Sequence, residues 1–292
     1  MIDRLAVIGV GLIGGSLARA LRAAGAVREV VGCGRGRANL EKAVALGVVD
    51  RFTHDVGEAV AGADLVFLAV PLGAMRAAFE AMRNRLSREA VVTDGGSVKA
   101  CVVEDARQVF GAVPARLVPG HPIAGTEKTG VEASFATLYH NRRVILTPVR
   151  ETAPAAVARV EAMWRLCGAE VSYMTVDHHD EVLAATSHLP HLLAYGLVDS
   201  LARTEEHDEV FRYAAGGFRD FTRIASSSPV MWRDICLANR EAVSRVLGRF
   251  RVELDELAEA VRQGDGERLL TVFERAKAAR DRFVDGAAPS PE

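Results

Sequence analysis

Only four cysteines occur in 292 residues (Cys33, Cys101, Cys167 and Cys236), far apart and with no CxxC among them. Such sparse thiols exclude a disulfide framework and a cysteine-based zinc site, and they suit the reducing cytoplasm. Charge of one sign is also lacking. Thirty-six Lys and Arg against 38 Asp and Glu leave a formal net charge of −2, so no whole-surface attraction to nucleic acid or to an anionic membrane is expected. No apolar run reaches the roughly 18 residues of a membrane span. No signal peptide is expected, because Met1-Ile2-Asp3-Arg4 leads directly into an apolar strand. There is no internal repeat and no low-complexity stretch. What remains is ordinary for a globular enzyme, 49% hydrophobic and 25% charged, with length enough for two domains. A cytoplasmic protein is expected.

Short apolar runs alternate with helical stretches through the first part of the chain. LAVIG (5–9), EVVGC (29–33), DLVFLAV (64–70), AVVTD (90–94), RLVPG (116–120), RVILTP (143–148) and AEVSYM (169–174) read as strands. Residues 14–25, 38–46 and 155–167 read as helices between them. Continuous apolar strands separated by helices indicate an α/β fold with a mostly parallel sheet covered on both faces, over residues 1–174. Beyond residue 175 long 3.6-period segments dominate (177–203, 206–215, 230–262 and 266–284), which predicts an all-helical domain over 175–285. Residues 286–292 read as a disordered tail.

GVGLIG (9–14) places Gly9, Gly11 and Gly14 in G-x-G-x-x-G, between a strand and a helix. In that context the first glycine makes the tight turn. The second admits a pyrophosphate close to the backbone, and the third lets helix pack on strand. Leu12 and Ile13 in the loop, and Val70 and Pro71 after the strand at 64–70, are candidate cofactor contacts with the three glycines. A simple tight turn is the alternative. The carboxylate expected about 20 residues further on, to bind a ribose 2′-hydroxyl, is missing: the chain reads Gly32-Cys33-Gly34-Arg35-Gly36-Arg37. Without that acid a 2′-phosphate is not repelled, and Arg35 can pair with it; alternatively Arg35 stacks on the adenine. The cofactor is expected to be NADP or NAD, with NADP tolerated.

His121 stands between Gly120 and Pro122 in VPGHPIAGTEKTG (118–130), and Ser97 lies in TDGGSVK (93–99). Both follow strands, and ligands of open parallel sheets bind beyond the carboxyl ends of the strands. A neutral His121 there can accept an alcohol proton while hydride leaves the same carbon, with Ser97 orienting the ring. A loop histidine bonding a nearby carbonyl is the other reading. SHLPH (187–191) puts His188 and His191 three residues apart around Pro190. Substrate contact, helix packing and metal, with His178 and His179 as extra ligands, are the readings; no third ligand has metal-site spacing, and no metal is expected. In GGFRDFTRIASSSPVMWRDI (216–235), Arg219 and Arg223 flank Asp220. One arginine can clamp a carboxylate bidentately while Asp220 fixes a neighbour, or the run is an exposed salt-bridged turn.

These stretches, with GVGLIGGS (9–16), occur together in one order and span nearly the whole chain. So combined they resemble the prephenate/arogenate (cyclohexadienyl) dehydrogenase family of tyrosine biosynthesis. The resemblance implies a Rossmann-type nucleotide-binding domain followed by a helical dimerisation domain. It also implies oxidative decarboxylation of prephenate to 4-hydroxyphenylpyruvate, or of arogenate to tyrosine, with NAD(P)+ as hydride acceptor. His121 then hydrogen-bonds the ring 4-hydroxyl, Ser97 supports His121, and Arg223 holds a substrate carboxylate. His191, Glu127 and Trp232 line or gate the site, with His188 and Asp220 close by as substrate contacts. The missing acid at Gly34 departs from the commoner NAD pattern. A monofunctional enzyme is expected, with no mutase segment before residue 1 and no regulatory domain after the helices. Two-domain 3-hydroxyacid dehydrogenases share the domain order but use a lysine from the helical domain, and this chain has none between Lys128 and Lys277. A sensor that binds NADP without catalysis would need neither His121 nor Ser97. The apolar segment 182–202 is too hydrophobic for a surface helix, and a homodimer is the simplest way to cover it. No residue pattern signals tyrosine feedback, although a product resembling the substrate could compete at the same site.

Overall fold

The computed structural model describes residues 1–126, 128–204 and 207–287. Six strands, β1 (Ile2–Ile8), β2 (Val27–Cys33), β3 (Arg51–Thr53), β4 (Leu65–Leu68), β5 (Val91–Asp94) and β6 (Leu117–Val118), form a parallel sheet of order β3-β2-β1-β4-β5-β6. The helices between them are α1 (Leu12–Ala23), α2 (Arg37–Ala45), α3 (Val56–Val60), α4 (Met75–Met82) and α5 (Lys99–Phe110). This is the Rossmann order, in which the strand sequence reverses between β1 and β4 and opens a crevice at their carboxyl ends.

The apolar runs are continuous because both faces of the sheet are covered. Leu5, Val7, Phe67 and Val91 point into one core with Leu17 and Leu21 of α1 and Met163 and Trp164 of α6 (Pro154–Leu166). Ala6, Ile8, Val66, Leu68 and Val92 point the other way, onto Phe79 and Met82 of α4 and Val102 and Ala106 of α5. Trp164 is wholly buried, with edge contacts to Phe67 and Tyr139 at ring-centroid distances of 5.6 and 5.0 Å.

The runs at 116–120, 143–148 and 169–174 do not all extend the parallel sheet. After β6 the chain passes Pro119, which has no N–H to continue the ladder on β5, and enters a second, three-stranded sheet of order β7-β8-β9. β7 (Gly120–Pro122) pairs antiparallel with β8 (Arg143–Leu146), and β8 pairs parallel with β9 (Glu170–Tyr173). His121 therefore sits opposite Ile145 in a short strand rather than in a loop. Strand β3 and helix α3 fall in a stretch with no assigned element in the sequence reading; both are too short for a period to show.

Helices follow from residue 176: α7 (Val176–Leu183), a π-helical turn (Ala184–His188), α8 (Leu189–Ala202), α9 (His207–Arg212), α10 (Gly216–Thr222), α11 (Pro229–Ala238), α12 (Arg240–Gln263) and α13 (Gly266–Ala287). The periodic segments 177–203 and 230–262 are both interrupted, the first where Pro190 in the sequence already predicts a kink or a fresh helix start. The wide turn precedes Pro190, whose ring and missing N–H do not fit an uninterrupted α-helix. Asn239 separates α11 from α12, its side chain donating to the Asp180 carbonyl. The chain divides into two compact units, Met1–Val243 and a second beginning at Ser244, so the first helices after β9 belong to the same unit as the sheet. In the second unit α12 and α13 fold back on one another through Gly264, with Arg268 pairing with Glu256 at 3.1 Å. Of the tail read as disordered, 288–292 lies outside the described residues, and α13 reaches Ala287. Among the described residues no helix is long and apolar enough to cross a membrane.

Truncating Trp164 leaves a large cavity against Phe67 and Tyr139. Trp164→Ala is expected to lower unfolding free energy by about 3–5 kcal/mol, measured by urea denaturation; a loss under 1 kcal/mol would place this ring outside the core.

Candidate active site

Gly9 has a φ of +101°. A Cβ there would lie 2.3 Å from the Ala69 carbonyl oxygen at the end of β4, and one on Gly14 would lie 2.1 Å from the Gly9 oxygen. Side chains are thus excluded where β1, β4 and α1 converge. A Cβ on Gly11 would meet nothing within 4 Å. Gly11 also caps α1 without a side-chain hydrogen bond, and the first turn holds no acid. Open space before uncapped backbone N–H groups, at the positive end of a helix dipole, fits a dinucleotide pyrophosphate. Asn39 braces the loop by donating to the Val10 carbonyl at 2.7 Å while accepting from Val131 N–H. Leu12 is buried and Ile13 partly so, its carbonyl accepting from the Tyr139 hydroxyl. Val70 and Pro71 follow β4 at the rim of the same crevice. At the end of β2, Gly34 brings no carboxylate, and its carbonyl lies 2.7 Å from Nδ1 of His54. Arg35 is exposed and has no ion pair among the described residues, whereas Arg37 is paired with Glu41.

Past β5 an ion pair is sealed inside the protein. Asp94 and Lys99 are both 0% exposed and bonded to each other. Asp94 also accepts from the N–H groups of Gly96 and Gly120, and the Lys99 ammonium donates to the Gly120 carbonyl at 2.6 Å. Both carboxylate oxygens and the ammonium are hydrogen-bonded, as a buried charge requires. The residue gripped through both its N–H and its carbonyl is the one before His121.

His121 is half-buried. Burial first, then the neighbouring His179, Lys99 and His188, hold its imidazole well below the ordinary pKa of 6.5. A neutral ring at neutral pH can accept a proton. Its Nδ1 lies 2.9 Å from Nε2 of His179, and Nδ1 of His179 lies 2.7 Å from Oδ1 of Asp180. Asp180 accepts from the backbone N–H groups of Lys99 and Ala100. Burial pushes its carboxyl up, but the bonds from His179, Lys99 and Ala100 outweigh this and leave it below the ordinary aspartate value. No hydrogen bond joins Ser97 to His121, whose Nδ1 faces His179 instead; Ser97 stands half-buried in the loop between β5 and α5. The sequence reading considered His179 only as a metal ligand and passed over Asp180. Their adjacency in VDHHDE after β9 is the one signal, and 58 residues separate His179 from its partner.

The helical segment adds a second group of rings. His188 is buried, and its Nδ1 lies 3.2 Å from Nδ2 of Asn239, while its Nε2 has no hydrogen-bond partner among the described residues. Burial first lowers its pKa to about 4. His191 stacks on Trp232 at 3.5 Å between centroids, with Nδ1 donating to the Ser187 carbonyl. Burial and the nearby Arg223 lower its pKa, against that hydrogen bond. The wide turn directs the two histidines of SHLPH to different partners. The Trp232 indole N–H is buried and without a hydrogen-bond partner among the described residues. Arg223 begins a 3-10 turn after α10, and Asp220 is exposed on α10. Glu127 lies outside the described residues. Among them no group of three or more His, Cys, Asp or Glu side chains could hold a metal ion.

A Rossmann sheet with this loop at its switch point marks the chain as a nucleotide-binding oxidoreductase, and His121 places a neutral imidazole just past the end of a neighbouring strand. The nucleotide-binding domain of prephenate dehydrogenase matches residues 17–173, and the dimerization domain of prephenate dehydrogenase matches residues 175–275. The chain belongs to the prephenate dehydrogenase family. A cyclohexadienyl dehydrogenase of Zymomonas mobilis is 40% identical over 279 residues, 94% of either chain. The crystal structure of Aquifex aeolicus prephenate dehydrogenase with hydroxyphenyl propionate and NAD+ superposes with a TM-score of 0.90 at 38% identity, covering 97% of this chain and 99% of that one. Arogenate dehydrogenase of Synechocystis gives 0.80 at 29% identity, covering 96% and 99%.

The buried histidines make stability depend on pH. His188 takes up a proton near 6.5 when unfolded but only near 4 when folded. Below pH 6.5 the unfolded chain binds the extra proton, so stability is full above 6.5 and falls towards 4, by about 1.4 kcal/mol per pH unit for each such group. His121 acts in the same direction. In urea melts between pH 7.5 and 4.5, His188→Gln is expected to flatten the fall by about one proton's share; an unchanged slope would mean that this ring is solvated.

Proposed function

We propose that this protein oxidises and decarboxylates prephenate to 4-hydroxyphenylpyruvate, arogenate to tyrosine, or both. The reading rests on family membership and on one observation above the others: a neutral His121 held by a buried ion pair past the carboxyl end of β5. NAD+ or NADP+, bound at the loop of Gly9, Gly11 and Gly14 with Leu12, Ile13, Val70 and Pro71, accepts the hydride. The exposed Arg35 beside Gly34 favours tolerance of a 2′-phosphate.

His121 takes the proton of the ring 4-hydroxyl as C4 loses its hydrogen with the electron pair. The dienone so formed expels CO2 from C1, the electrons of that bond enter the ring, and aromatisation drives the step. The proton on His121 returns to the oxygen that becomes the phenol. In this reading Arg223 holds a substrate carboxylate, Ser97 supports His121 from the loop after β5, and His188, His191, Trp232, Asp220 and Glu127 line the site. Residues 1–174 carry the nucleotide, and 175–285 supply the substrate side and the dimer contact. A homodimer is supported by α8, whose sequence LPHLLAYGLVDSLA is strongly apolar although only Leu189 and Ala194 are buried. Tyrosine shares the product's ring and competes at this site. The four unpaired cysteines suit the cytoplasm.

Steady-state rates with both acids and both nucleotides test the reading directly. His121→Asn is expected to lower kcat by about 10²–10⁴-fold with little change in KM, whereas Arg223→Gln mainly raises KM for the acid. Full turnover by the His121 variant would remove it from the chemistry. Arg35→Ala is expected to raise KM for NADP+ about tenfold, on the order of one charge-assisted contact, and to leave NAD+ nearly unaffected. Equal effects on the two nucleotides would refute a 2′-phosphate contact.

A further inference from the structure

The rings of His121 and His179 and the carboxylate of Asp180 lie in one hydrogen-bonded line, with Nδ1 of His121 2.9 Å from Nε2 of His179, and Nδ1 of His179 2.7 Å from Oδ1 of Asp180. A carboxylate only accepts hydrogen bonds, so Nδ1 of His179 carries the hydrogen at that end. With one proton on each ring, Nε2 of His179 is then a lone pair, and Nδ1 of His121 must donate to it. The base lone pair of His121 is left on Nε2. We propose that His179 and Asp180 are positioning residues that fix His121 as the Nδ1–H tautomer, so that the atom left to accept the substrate proton is always Nε2. The inference deepens the proposed dehydrogenase reading and rests on it for its catalytic consequence.

The arrangement is built rather than incidental. His179 is wholly buried. Asp180 is clamped by the first two N–H groups of α5, from Lys99 and Ala100, and its backbone carbonyl is held by Asn239. The same Lys99 grips Gly120 beside His121 through its ammonium. One residue therefore fixes both ends of the line, and neither ring can turn without breaking a buried hydrogen bond. When Nε2 of His121 takes the hydroxyl proton, the imidazolium keeps its Nδ1–H bond to His179. A protonated His179 would disfavour that charge, as Lys99 and His188 do, but a neutral His179 accepting at Nε2 favours it at the moment it is made. Around Asp180 the facing groups are His179, His188, Cys101 and the two α5 N–H groups.

The test uses His179, because Asp180 also holds α5 and its loss confounds folding. Nitrogen-15 NMR of histidine-labelled protein reports which ring nitrogen carries hydrogen. The wild type is expected to show His121 as the Nδ1–H tautomer, and His179→Leu to shift it towards Nε2–H. In steady state His179→Leu should lower kcat about 10²-fold with KM for acid and nucleotide within about threefold. The acid limb of its kcat profile should move to lower pH, because the imidazolium has lost an acceptor. His179→Gln, whose carbonyl can accept the Nδ1 hydrogen, should recover most of kcat; a merely structural role predicts no such rescue. An Nε2–H tautomer in the wild type, or full kcat in His179→Leu, overturns the proposal. If the tautomers are as expected but neither acid is oxidised with either nucleotide, the tautomer assignment stands and the dehydrogenase reading fails instead.

Discussion

The buried pair of Lys99 and Asp94 is the constraint on which the rest of the candidate site depends. Two charges withdrawn from water are tolerated only when they are paired and hydrogen-bonded, and here the bonding reaches across three pieces of chain. Asp94 ends β5, Lys99 begins α5, and the groups that complete them are the N–H and carbonyl of Gly120 in β7. Moving any of the three strands an uncompensated charge in the core. That penalty pins the backbone before His121 far more tightly than a glycine and a proline could. The backbone N–H of Lys99 then passes the constraint to Asp180, and so to the first helix beyond the sheets.

Charge is distributed unevenly around this point. The pair itself is neutral overall and sealed. Around it stand His121, His179 and His188, packed closely enough that a proton on one disfavours a proton on the next. His121 and His188 are held neutral in this way, and a neutral imidazole is suited to receiving one proton during a reaction and returning it afterwards. Arg223, by contrast, is exposed and acts on His191 from outside. A neutral imidazole within and a cation at the margin are the two features on which the proposed alcohol and carboxylate contacts rest.

The nucleotide side obeys a different rule. There the requirement is emptiness: Gly9 and Gly14 are forced by backbone atoms at contact distance, and Gly11 by nothing except the room it leaves. Those two requirements, a tight crossing and an open approach, both show as glycine in the sequence. Motif spacing alone therefore made the loop readable, whereas the structure separates the glycines by cause. The break at Pro190 was also readable as a kink or a new start, but not the wide turn that resolves it, since a π turn depends on what packs around it.

Periodicity and punctuation, read from the chain alone, were enough for the alternating strands and helices, the parallel sheet with both faces covered, the change to helices past residue 175, and the family through the order of its motifs. These are local properties: a buried strand or an amphipathic helix announces itself in the residues that form it. The sequence reading put His121 at a turn and Ser97 beside it. Only the tertiary structure placed His121 on a strand of a second sheet, set His179 rather than Ser97 on its Nδ1, and bound Lys99 to the carbonyl of Gly120. Hydrogen bonds between residues 58 or 21 positions apart leave no period in a sequence. They exist only once the strands are stacked, because it is burial that obliges each polar group to find the partner it has.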